Sequence, residues 1–78
     1  MDPPRQLTIS ADSIRLGQFL KLADLVEAGG EVKALLMSGL VTVNGEPEVR
    51  RGRQLRDGHT VGVGGVSYDV VVARPAQG

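Results

Sequence analysis

An α+β fold is predicted, with two helices packed on a small, mostly antiparallel sheet. Two observations point there. Between Leu16 and Ser38 the apolar residues recur at spacings of three and four, the period of a helix that buries one face. On either side of that stretch the period falls to two, and glycine-rich pairs punctuate the chain at short intervals.

Leu7-Thr8-Ile9-Ser10 alternates apolar and polar side chains and reads as a short strand, with a turn at Asp12-Ser13. Leu16, Phe19, Leu20, Ala23 and Val26 then form a helical stripe, flanked by Leu22 and Leu25. Lys21, Asp24 and Glu27 fall off it toward water. Gly29-Gly30 is expected to stop this helix, because glycine takes the left-handed cap conformation at little cost. A second helix should run from about Gly30 to Ser38, with Val32, Leu35 and Leu36 inward and Gly39 ending it.

Val41-Thr42-Val43 is a strand, and Asn44-Gly45 a strong hairpin signal. Pro47 lacks an N–H for a ladder, which puts the return limb at an edge. Asp57-Gly58 marks a further turn, Thr60 to Val63 a strand, and Gly64-Gly65 a tight turn. The longest strand should be Val66 to Ala73, with Tyr68, Val70 and Val72 on one face. The first few residues and Pro75 to Gly78 are expected to fray.

With 78 residues the chain has room for one domain, expected to span 1–78. No cysteine and a single histidine, His59, leave neither disulfides nor thiolate metal ligands, so no metal or cofactor is expected. No apolar run approaches the ~20 residues of a membrane span, and Met1 to Arg5 lacks the pattern of a signal peptide. A cytoplasmic protein with no membrane partner and no small-molecule substrate is expected.

The formal net charge is zero, but its distribution is uneven. Residues 1–49 carry four basic and seven acidic side chains. Arg50, Arg51, Arg53 and Arg56 then fall within seven residues that hold no acid. Unpaired guanidinium groups are too costly to bury, so these must project from a loop or sheet edge. Their planar forks match phosphate oxygens, and clustering them raises the local potential. The bland reading is a solvated edge that resists strand aggregation, neutralised by Glu46, Glu48 and Asp57. Lys33, in the first turn of the second helix, is a further phosphate candidate, with Glu31 in the same turn as a counterweight. Arg15 and Lys21 carry weaker signals.

An enzyme is not expected. Ser10, Ser13, Asp12 and His59 lack the context of a nucleophile elbow, and no apolar pocket is evident around Glu46 or Glu48 to raise either pKa. Gly62-Val63-Gly64-Gly65 lacks the helix and Lys-Ser pair of a phosphate loop. The chain ends Ala-Gln-Gly rather than in the Gly-Gly of a ubiquitin-like carrier.

Four blocks in order carry a family resemblance: Leu16 to Ala23, Gly29-Gly30-Glu31-Val32-Lys33, Val41 to Glu46, and Arg50 to Gly58. Together they resemble the small S4-like RNA-binding proteins of the bacterial YaaA/YbcJ type, over about Ile14 to Val63. The resemblance implies an S4-type (alpha-L) fold and binding to structured RNA, ribosomal or transfer, with possible ribosome association. It implies an RNA-facing surface at Gly29, Gly30 and Lys33 and at Arg50, Arg51, Arg53 and Arg56. The chain departs from many S4 domains at Ala28-Gly29, where those carry Ser-Arg, and at Gly17, where an aspartate follows Arg-Leu. The other reading is an adaptor that docks its arginine edge on an acidic protein.

Overall fold

The computed structural model describes residues 5–73. Strands β1 (Arg5–Ile9) and β2 (Ser13–Arg15) precede helices α1 (Leu16–Leu22) and α2 (Gly29–Met37). Strands β3 (Val41–Val43), β4 (Glu46–Pro47), β5 (Gln54–Arg56), β6 (Thr60–Val63) and β7 (Val66–Val72) follow. A five-stranded sheet has the order β1-β7-β6-β3-β4, and β2 and β5 form a separate two-stranded ribbon. Pairing is antiparallel throughout except between β1 and β7, which lie parallel. The α+β architecture read from the sequence is the one observed. The frayed ends expected there lie outside the described residues, apart from Arg5 in β1.

The hairpin signals land where the backbone needs them. Asn44 and Gly45 both have positive φ, as do Gly64 and Gly65, and these pairs close β3–β4 and β6–β7. Asn44 also accepts a hydrogen bond from the Thr60 N–H through its side-chain oxygen, at 3.0 Å. Pro47 sits in β4 at the sheet edge, where its missing donor costs nothing.

The first helix is shorter than its apolar stripe. It ends at Leu22, and the residue that turns the chain is Asp24, at φ 62°. The Asp24 N–H donates to the Lys21 carbonyl and the Leu25 N–H to the Leu20 carbonyl, a Schellman motif with aspartate in the left-handed position. Val26 is buried as the stripe implies, but from a loop. Gly29 and Gly30 therefore stop nothing: they are the first two residues of α2. The α2 helix ends at Met37, with Gly39 at φ 82° beyond it.

The second departure is the β2–β5 ribbon. A turn was expected at Asp12-Ser13, yet Ser13 already pairs with Arg56, Ile14 with Leu55 and Arg15 with Gln54. Each strand is three residues long and has one inward apolar residue, too little for a period to register. Leu55 is fully buried and joins the core. That core lies between the helices and the sheet: Leu16, Phe19, Leu20, Val32 and Leu36 pack against Val41, Val61, Tyr68 and Val70. Phe19 meets Tyr68 edge-on, with ring centroids 6.5 Å apart.

Candidate nucleic-acid interface

The four clustered arginines do not form one surface. Their segment leaves the sheet at Glu48, whose N–H donates to the Val41 carbonyl. The Glu48 carboxylate then turns back under the loop and is buried. Its Oε2 accepts from the N–H groups of Val49 and Arg50, each at 3.1 Å, and from Arg50 Nε at 3.2 Å. Its Oε1 accepts from Arg50 Nη2 at 3.2 Å and Arg53 Nη1 at 3.1 Å. Hydrogen bonds from the Arg50 side chain, and next from its backbone, hold the Glu48 pKa at about 2 against a usual 4.5, although burial works the other way. Glu48 in turn raises the pKa of Arg50. The triad keeps a net charge of +1 and faces a polar hollow of about 390 Å³ bounded by Asn44, Glu46 and Pro47. Of the three acids proposed as neutralisers, Glu48 makes these ion pairs. Asp57 instead accepts from the Val72 N–H at 2.8 Å.

The loop is pinned to the start of α1. The Leu16 N–H donates to the Arg53 carbonyl at 2.8 Å and the Gly17 N–H to the Arg51 carbonyl at 2.9 Å, so the loop supplies acceptors for two N–H groups of the first turn. A Cβ on Gly17 would lie 3.4 Å from the Arg51 carbonyl oxygen and 3.4 Å from a Val32 methyl. The loop thus seats in contact with position 17.

Arg51 projects elsewhere, toward α2. Its Nη2 lies 3.8 Å from where a Cβ on Gly29 would stand, and its side chain shares a groove with Lys33, Leu36, Met37 and Val49. Gly29 and Lys33 are therefore brought to Arg51, whereas a Cβ at Gly30 would meet nothing within 4 Å. Glu31 occupies part of that helix start, since its Oε1 accepts from the Glu27 N–H at 2.9 Å.

Arg56 lies apart, on the ribbon. Its Nη2 donates to Gln54 Oε1 at 3.4 Å, and its backbone N–H donates to His59 Nδ1 at 3.1 Å. The pairing of Arg15 with Gln54 sets Arg15, Gln54 and Arg56 on the ribbon face opposite the inward Ile14 and Leu55. Arg15 thus shares a ribbon face with Arg56, about forty residues away, which no local pattern announces. Among the described residues, Arg15, Lys33, Arg51 and Arg56 have no carboxylate within ion-pair distance.

A two-helix α+β domain with a cationic loop seated on its helices matches the S4 domain family, whose model fits residues 7–71. The chain belongs to that family. A curated relative from Bacillus subtilis (strain 168), named "Probable ribosome maturation protein RlbA", is 47% identical over 66 residues, covering 83% of this chain and 93% of the relative.

Proposed function

We propose that this protein is a non-catalytic module that binds structured RNA, with ribosomal RNA the first candidate and transfer RNA the second. Membership of the S4 family and the ribosome-maturation name of the Bacillus relative support the class of ligand. The observation that carries the reading is the pairing of Lys33 and Arg51, two cations without an acid partner among the described residues, on one surface beside the start of α2. Arg15 and Arg56 form a second, separate cationic patch on the ribbon. Arg50 and Arg53 contribute a net single charge through the Glu48 triad and hold the loop in shape. Phe19 and Tyr68 are both buried, so neither offers a stacking platform. Backbone shape and phosphate contacts govern recognition instead.

The test is crosslinked RNA recovery from bacterial lysate, with sedimentation of ribosomal particles before and after nuclease. Wild type should co-sediment with ribosomal particles and recover ribosomal RNA, and nuclease should release it. Co-sedimentation that survives nuclease, with no RNA crosslink, would favour docking on an acidic protein and overturn the proposal.

A further inference from the structure

Two of the most exposed apolar side chains in the described residues, Met37 at 70% and Val49 at 58%, stand in the same groove. Met37 ends α2, one turn beyond Lys33, and Val49 opens the loop that carries Arg51. Leu36 contributes to the floor, so a carbon-lined hollow of about 220 Å³ includes the side chains of two cations, Lys33 and Arg51, in its lining. Aliphatic surface in water has no favourable partner there, while the cations call for an anion.

The size of the hollow selects among occupants. A protein interface ordinarily engages about 20–30 residues a side, far more than this patch presents. One planar ring with phosphates at its flanks does fit, and it satisfies both the carbon floor and the cations. We infer that the groove takes one unpaired nucleotide of the bound RNA: its base lies on Met37, Val49 and Leu36, and adjacent phosphates lie on Lys33 and Arg51. Arg51, planar and weakly hydrated, is suited to cover the base edge as well as to bind phosphate. The inference rests on the RNA-binding reading above and adds that the RNA must present a base out of its helix.

Two RNA hairpins decide it, one fully paired and one identical but for a single bulged nucleotide, each titrated with purified full-length protein. Wild type should bind the bulged hairpin about fivefold more tightly, the order of one modest base contact. Met37→Ser with Val49→Ser should erase that preference and leave affinity for the paired hairpin unchanged, while Met37→Leu should retain it. Both positions are exposed, and circular dichroism with urea unfolding verifies that each variant is folded. Equal wild-type affinity for the two hairpins overturns the groove assignment but leaves RNA binding standing. Binding to neither hairpin nor to ribosomal RNA overturns both. A wild-type dimer in sedimentation that Met37→Ser with Val49→Ser turns into monomer would assign the groove to a second copy and overturn the inference.

Discussion

At the residue scale, Glu48 decides what the arginine segment is. One buried carboxylate takes five hydrogen bonds, two from the backbone and three from guanidinium groups, and so converts two of four cations into scaffold. Its pKa is depressed, so its contribution to stability is present above 4.5 and is lost as pH falls from there toward about 2. Linkage alone sets a ceiling of about 3 kcal/mol. Solvent around Arg50, 71% exposed, screens the interaction and reduces this toward about 1 kcal/mol. Urea unfolding should therefore show Glu48→Gln less stable than wild type by about 1 kcal/mol or more at pH 7. The gap should close as pH drops toward 2, and a gap independent of pH would contradict this role. The charge run itself was plain in the sequence. Which arginines are spoken for was not, because Glu48 and Pro47 read equally well as a solvated edge until the carboxylate is seen to fold under its own loop.

At the scale of elements, strong periods and turn pairs were legible and weak ones were not. Asn44-Gly45 and Gly64-Gly65 announced their hairpins, and the stripe from Leu16 announced α1. The stripe overran the helix because Val26 is buried in either conformation, and the stop is an aspartate rather than a glycine. A non-glycine residue in the left-handed region is strained. Asp24→Gly should accordingly raise stability by about 0.5–1 kcal/mol, measured by urea or thermal unfolding, whereas Asp24→Val should lower it. A loss with glycine would show that the aspartate side chain has a role of its own. The β2–β5 ribbon is illegible in the sequence for the opposite reason. Three residues a side carry no period, and the pairing of Arg15 with Gln54 spans half of the chain. Arg15 consequently reads as an isolated cation, although the ribbon puts it on one face with Arg56.

At the scale of the whole molecule, zero net charge leaves local cationic patches, because some acids are engaged within the fold while several cations are unpaired among the described residues. Some acids serve structure: Glu31 holds the chain ahead of α2 by accepting from the Glu27 N–H, Asp57 ties down β7 and Glu48 organises the loop. The cations at Lys33, Arg51, Arg15 and Arg56 stand without acid partners among the described residues. The most direct test compares two double variants that change the formal charge equally. Titration with a ribosomal RNA fragment at several salt concentrations should show that Lys33→Gln with Arg51→Gln weakens binding by about tenfold or more. It should also make the salt dependence shallower by about 1.5 in slope, as two lost phosphate contacts require. Arg50→Gln with Arg53→Gln should cost less than about threefold once folding is verified. Equal losses in the two variants, or a greater loss from Arg50 and Arg53, would contradict the assignment of RNA contact to the cations that Glu48 leaves free.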